Sequence, residues 1–172
     1  MRKIEESLGE RPSPEDLFDY IYAVLHSPWY RERYKEFLKR DFPRIPYPKD
    51  TTSFDNLVSM GKKLCKLHLM KDCGKWDARH RFPCKGEGSD TLEYRQWENG
   101  KIYFNETQYF DNVPQEVWEF YIGGYQVADK WLKDRINTDI SLNEIFQYQN
   151  ILYAIEETMK LMKCIDDIIC PH

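Results

Sequence analysis

The sequence lacks the signatures of most catalytic and membrane classes. No apolar run reaches the roughly 18 to 20 residues that a membrane helix needs. The opening MRKIEESLGERPSPED is charged throughout, so no export signal is expected and the cytoplasm is the expected compartment. A G-x-x-x-x-G-K-S/T phosphate loop, a G-x-G-x-x-G turn after a strand and a G-x-S-x-G elbow are all missing. No two prolines are adjacent, which removes the Asn-Pro-Pro-Tyr kind of motif that grips an extruded adenine in amino-methyltransferases. With these signatures gone, the chain is expected to catalyse nothing and to hold no cofactor of its own.

Cysteine is sparse and unpatterned. The five residues Cys65, Cys73, Cys84, Cys164 and Cys170 are odd in number and irregular in spacing, which reads as reduced thiols. His68, Cys73, His80 and Cys84 fall within a window of 17 residues, close enough for a zinc staple. Their spacing matches no paired C-x-x-C arrangement, and His68 lies on an apolar helix stripe. A hydrogen-bonded core histidine is therefore the favoured reading, with no metal.

What the chain does have is a strong charge asymmetry. The net charge is −4 over 172 residues, yet residues 28–85 hold 15 Lys and Arg against 7 Asp and Glu, and the remainder holds 10 against 22. A positive field over part of the surface is what contact with phosphates requires.

Local rules place the elements. Residues 1–12 lack a periodic apolar pattern and read as a tail or linker end, leaving 13–172 as a single domain. Ser13-Pro14-Glu15-Asp16 supplies an N-cap, a first-turn proline and two carboxylates, opening a helix with Leu17, Phe18, Ile21, Val24 and Leu25 as its buried stripe. Ser27-Pro28 repeats the signal, and the second helix buries Tyr30, Tyr34, Phe37 and Leu38 while Arg31, Arg33, Lys35, Lys39 and Arg40 cover the rest. Pro43, Pro46 and Pro48 then stiffen a loop around Arg44. A third helix is predicted over 53–70, with Gly61 on its buried stripe permitting close approach. Residues 71–90 read as a long basic loop. TLEYRQW and KIYFN flank Asn99-Gly100, a type I′ hairpin signal that sets Glu98 opposite Lys101, Trp97 opposite Ile102 and Arg95 opposite Phe104. Beyond it come a short strand before Gly123-Gly124, a helix over 124–135, and the capping box Ser141-Leu142-Asn143-Glu144, which opens an amphipathic helix to about Ile168. The expected class is α+β: mostly helical, with a small antiparallel sheet around 91–105 and a long C-terminal helix.

Sequence-selective DNA readers pair Lys or Arg on phosphates with Arg, Gln or Asn on base edges. The basic loop and adjoining hairpin supply both through Lys75, Arg79, Arg81, Lys85, Arg95 and Gln96, with Asn99 at the turn; Arg44 in the proline loop and Gln126 further along are the remaining candidate contacts. A protein-interaction domain built on the long C-terminal helix is the alternative.

Several blocks carry a family resemblance from about Pro14 to Ile168. They are Tyr20–Pro28 (YIYAVLHSP), Tyr30–Tyr34 (YRERY), Phe42–Pro46 (FPRIP), Gly123–Gln126 (GGYQ) and Trp131–Arg135 (WLKDR). Together they resemble the C-terminal target-recognition domain of the single-polypeptide (ISP-type) restriction-modification enzymes and their adenine-methyltransferase relatives. The resemblance implies a non-catalytic specificity module that clamps double-stranded DNA against an upstream methyltransferase domain of the same or a neighbouring polypeptide. S-adenosylmethionine and ATP would be bound elsewhere in such an enzyme.

Overall fold

The computed structural model describes residues 8–9, 11–71 and 82–170. It divides into unit 1, Met1–Leu69 with Glu157–His172, and unit 2, Met70–Glu156. The elements of unit 1 follow from their caps. Helix α1, Pro14–His26, starts where the Ser13 hydroxyl accepts the Asp16 N–H at 3.0 Å. Ser27 ends it and caps α2, Pro28–Arg33, accepting the Tyr30 N–H at 3.0 Å. The predicted second helix breaks at Tyr34, which lies outside helical geometry (φ −106°, ψ 14°), and resumes as α3, Lys35–Leu38. Tyr34 is accordingly exposed rather than buried. Helix α4, Thr51–His68, begins at Asp50, whose carboxylate accepts the Ser53 N–H at 2.7 Å.

Helix α1 buries Tyr20, Ala23 and Val24 against Phe54, Leu57, Val58 and Leu64 of α4, with Tyr30 and Ile165 completing the core. Fully burying a side chain such as Leu64 or Ile165 contributes about 1.5–3 kcal/mol. Gly61 is where the two backbones meet, since an added Cβ would lie 1.9 Å from the Asp19 carbonyl oxygen. The predicted stripe of α1 is rotated from this face. Phe18 is 57% exposed and stacks on Tyr22 at 5.8 Å, because Tyr20 takes the inward position and hydrogen-bonds the proline loop.

Unit 2 is built on an antiparallel sheet in the order β1-β4-β3-β2, from β1 Cys84–Lys85, β2 Gln96–Glu98, β3 Lys101–Tyr103 and β4 Tyr109–Phe110. Asn99 (φ 50°) and Gly100 (φ 80°) form the left-handed turn that the Asn-Gly pair demands. The register puts Glu98 opposite Lys101 and Trp97 opposite Ile102. The ladder stops short of Arg95: the Phe104 carbonyl accepts from Glu93 N (2.8 Å) and Tyr94 N (3.2 Å), so an irregularity replaces the expected Arg95–Phe104 pair. Strand β1 forms inside the region read as loop and pairs with β4.

Helix α5, Gln115–Trp118, leads to the hairpin of β5 Tyr121–Ile122 and β6 Tyr125–Gln126, then to α6 Val127–Lys133. The expected helix thus starts three residues later, since Gly124–Gln126 belong to the hairpin. Helix α7, Leu142–Ile169, opens with the capping box, in which the Glu144 N–H donates to Ser141 Oγ (3.3 Å) and the Ser141 N–H to Glu144 Oε2 (3.0 Å). Its first half carries Tyr148 into the unit 2 core, 4.7 Å from Phe110 and 4.9 Å from Trp131, ring to ring. No helix among the described residues is long and apolar enough to cross a membrane.

Candidate nucleic-acid interface

The cations of unit 1 follow from helix geometry. Ser27 and Tyr30 turn inward, with Phe37 and Leu38 half-buried beyond the break at Tyr34, which leaves Arg31, Arg33, Lys35, Lys39 and Arg40 exposed. Lys35 pairs with Glu32 at 3.3 Å and Lys39 with Glu36 at 2.7 Å, exposed pairs worth about 0–1 kcal/mol. Arg33 lies over the Trp29 ring at 5.6 Å. Among the described residues Arg31, Arg40, Arg44 and Lys63 form no ion pair with a carboxylate.

Arg44 sits in the loop that joins α3 to α4, and its guanidinium lies 5.0 Å from the centre of the Phe37 ring. Two buried tyrosines fix that loop from beneath. Tyr20 donates its hydroxyl to the Pro46 carbonyl and Tyr30 donates to the Arg44 carbonyl, each at 2.9 Å. Pro46, Tyr47 and Pro48 also border an apolar cleft of about 170 Å³, shared with Trp29, Tyr34 and Ile168. Burial raises the Tyr20 hydroxyl to about 12, so it stays protonated and keeps donating.

A second polar network lies deeper in unit 1. His68 Nδ1 is 2.7 Å from the Tyr22 hydroxyl, and its Nε2 is 3.1 Å from Thr158 Oγ1. His26 Nδ1 donates to the Tyr22 carbonyl at 2.7 Å, and the two imidazoles lie 5.1 Å apart. Burial pushes both histidines below the usual imidazole range, and proximity to His26 adds to the effect on His68. His68 is therefore a core histidine with both ring nitrogens engaged. Cys73 and His80, the other members of the metal pattern with Cys84, lie outside the described residues.

The candidates in unit 2 meet acids. Lys85 pairs with Asp111 at 2.6 Å, a hydrogen bond that raises the lysine and lowers the aspartate. Arg95 Nε donates to Asp129 in a partly buried pair. Gln126 spends its amide locally, Nε2 donating to the Trp118 carbonyl at 2.6 Å and Oε1 accepting from the Tyr121 hydroxyl at 3.3 Å. Gln96 is exposed on β2, where its backbone pairs with Tyr103, and its side-chain amide has no hydrogen-bond partner among the described residues. Lys75, Arg79 and Arg81 lie outside the described residues.

Of the candidate contacts read from the sequence, Gln96 stands exposed and Arg44 is exposed without a carboxylate partner within the described part. That reading passed over Phe42, which is 87% exposed between Arg40 and Arg44. The signal was present: an aromatic residue ahead of Pro43, inside a stretch of seven Lys and Arg against three Asp and Glu at residues 31–49.

Comparison with known proteins adds to this geometry. A family model described as Type ISP C-terminal specificity domain matches residues 1–164. The fold resembles part of a nuclease-deletion mutant of the Type ISP restriction-modification enzyme LlaGI, solved in complex with a DNA substrate mimic. There the TM-score is 0.66 with 24% identity, over 90% of this chain and 16% of that one. It also resembles part of the ATP-dependent Type ISP restriction-modification enzyme LlaBIII bound to DNA, with a TM-score of 0.68 and 20% identity over 89% of this chain and 11% of that one. A DrdV–DNA complex gives a TM-score of 0.68 and 21% identity over 89% of this chain and 18% of that one. The chain thus spans less than a fifth of the length of each of these structures. No curated protein sequence matches it.

Proposed function

Since the chain belongs to the Type ISP C-terminal specificity domain family, we propose that it is a non-catalytic reader of duplex DNA within a restriction-modification system. It works beside an adenine-specific methyltransferase domain, carried upstream in the same polypeptide or by a neighbouring one in the cytoplasm. The observation that carries this reading is the family match, which runs over residues 1–164.

The chemistry supports it in a particular way. Unneutralised cations attract phosphates and release condensed counterions, which fixes position without reading sequence. Arg31, Arg40, Arg44 and Lys63 are suited to that task. Reading needs a side chain free to pair with a base edge, and a Gln amide presents both a donor and an acceptor to adenine. Gln96 retains both. Lys75, Arg79 and Arg81 remain proposed contacts on sequence grounds. Lys85 and Arg95 are assigned to holding unit 2 together, because a phosphate would have to displace Asp111 or Asp129 to reach them.

Selection of bound duplexes from a randomised pool at low salt tests the proposal. The expected result is an enriched sequence whose complex with the chain weakens as salt rises. Absence of any enrichment, together with no gel shift of the pool, overturns it.

A further inference from the structure

We propose that Phe42 is a wedge that enters a base step of the bound duplex, with Arg40 and Arg44 holding the phosphates on either side. The inference rests on the reading of the chain as a DNA reader and names a contact for it.

A single exposed apolar side chain is ordinary on a protein surface. Three observations set Phe42 apart. First, it is the most exposed of the large hydrophobic residues among those described, at 87%. Second, the loop that presents it is held rather than loose. Pro43, Pro46 and Pro48 restrict its backbone, the Phe42 N–H donates to Asp41 Oδ1 at 2.8 Å, and the Pro46 and Arg44 carbonyls are tied to Tyr20 and Tyr30. The main-chain ordering that insertion would otherwise require is largely in place. Third, its setting is cationic, since Arg40 and Arg44 are exposed and neither pairs with a carboxylate among the described residues.

The charge chooses the occupant. Another exposed apolar tip exists in unit 2, where Tyr121 and Tyr125 are 59% and 63% exposed around Gly123-Gly124. Of the basic side chains near it in sequence, Lys130 pairs with Asp134 and Arg135 with Glu144, which leaves Lys133 exposed without a carboxylate partner among the described residues, so a polyanion gains less there. At Phe42 the cations are open. The segment that carries the ring is flanked in sequence by Arg40 and Arg44, neither paired with a carboxylate among the described residues, although Arg44 rests over Phe37 and the Asp41 carboxylate accepts the Phe42 N–H. An apolar ring so placed suits a base step, which is apolar between stacked faces and anionic along its edges. Side chains that part a base step kink the duplex, and the unstacking they cause costs a few kcal/mol, recovered in wider contact.

The test uses the whole chain and a duplex enriched by the selection described above, with 2-aminopurine placed at successive positions. Saturating wild-type chain should brighten the probe at one or two adjacent positions, as the base there loses a stacking neighbour. Phe42→Ala should abolish that signal and weaken binding roughly tenfold or more, and Phe42→Leu should restore part of both. Arg40→Ala with Arg44→Ala should weaken binding yet keep the signal at saturation. The side chain is exposed, so circular dichroism should show each variant folded. If Phe42→Ala binds as wild type does, with the probe unchanged, the wedge is wrong while the DNA reading stands. Loss of binding only to a methyltransferase domain supplied separately would reassign Phe42 to a protein contact and overturn the proposal. If no duplex is enriched at all, the reader reading falls and the wedge falls with it.

Discussion

Arg31, Arg40, Arg44 and Lys63 in unit 1 stand exposed with no ion-pair partner among the described residues, whereas Lys85 and Arg95 in unit 2 each grip an aspartate. Both sets come from the same basic half of the sequence or its border. In unit 1 Glu32 and Glu36 are taken up by i,i+3 pairs with Lys35 and Lys39 and the Asp41 carboxylate accepts the Phe42 N–H, so none of them pairs with the neighbouring arginines. In unit 2 the strands bring distant acids alongside, Asp111 across the sheet and Asp129 from α6. Positive residues in a sequence are therefore a count of possible phosphate contacts, and the fold decides how many remain available.

Neutralising each set of cations in turn should give the largest effect. Replacing Arg31, Arg40, Arg44 and Lys63 by Ala should weaken duplex binding by roughly two orders of magnitude at moderate salt. It should also flatten the plot of log K against log salt by about 0.9 for each phosphate that is no longer neutralised. Lys85→Ala with Arg95→Ala should leave that slope nearly unchanged and lower thermal stability instead. A larger change of slope from the second pair would reverse the assignment.

Next in size is a change in the core of unit 1. Gly61→Ala would force a Cβ to within 1.9 Å of the Asp19 oxygen, and the α1–α4 packing must open to admit it. Overpacking of this kind costs about 1–3 kcal/mol. Gly123→Ala in unit 2 meets no atom within 4 Å and carries only the strain of a left-handed residue (φ +57°), about 1–2 kcal/mol. Denaturant melts should therefore rank Gly61→Ala as the more damaging, with loss of DNA binding following loss of fold.

Acid should separate the units more gently. His26 and His68 are held neutral in folded unit 1, chiefly by burial, while an unfolded histidine takes a proton near pH 6.5. Their contribution is present above about pH 6.5 and is lost as the pH falls from there toward the depressed folded values, because the unfolded chain binds more protons. Unit 2 has no histidine among its described residues. Its depressed carboxyls are Asp111, lowered first by the Lys85 hydrogen bond, and Glu144, lowered first by the Ser141 N–H. Their contribution persists down to about pH 4 and fails below it. Hydrogen exchange corrected for intrinsic rates should show α1 and α4 loosening by about pH 5.5 while the sheet holds. Simultaneous loosening would argue against the histidine pair as the cause.

These contrasts mark where the sequence was legible. Ser13, Ser27, Asn99-Gly100 and the Ser141/Glu144 box act within four residues, so their caps and turn could be read directly and they position most elements. The family blocks were equally legible, and the match over residues 1–164 agrees with them. Strand β1 was not, since a two-residue strand has no period and forms only because β4 lies beside it. The Arg95–Asp129 pair spans 34 residues, and no local rule announces it. Phe18 was misread because Leu17, Phe18 and Tyr20 offer two overlapping apolar faces. Tyr20 won through a bond to Pro46, which lies 26 residues away.

The smallest expected effect is also the one that isolates presentation from charge. Tyr20→Phe and Tyr30→Phe each remove one neutral hydrogen bond to a loop carbonyl and keep the buried ring, a loss of about 0.5–1.5 kcal/mol apiece. Trp97→Phe removes a comparable bond in unit 2, from Nε1 to the Val113 carbonyl at 2.9 Å. Each tyrosine change should cost about one hydrogen bond, and Trp97→Phe should cost at least as much stability because it also trims the ring. The variants should differ in binding, because only the tyrosines hold the segment that carries Phe42 and Arg44, and a loosened loop must be reordered when the duplex arrives. Paired measurements of melting and duplex affinity should show a few-fold loss of affinity for the tyrosine variants and none for Trp97→Phe. Equal affinities would mean that the loop's cations act without being held in place, and the difference between the two units would then be one of charge alone.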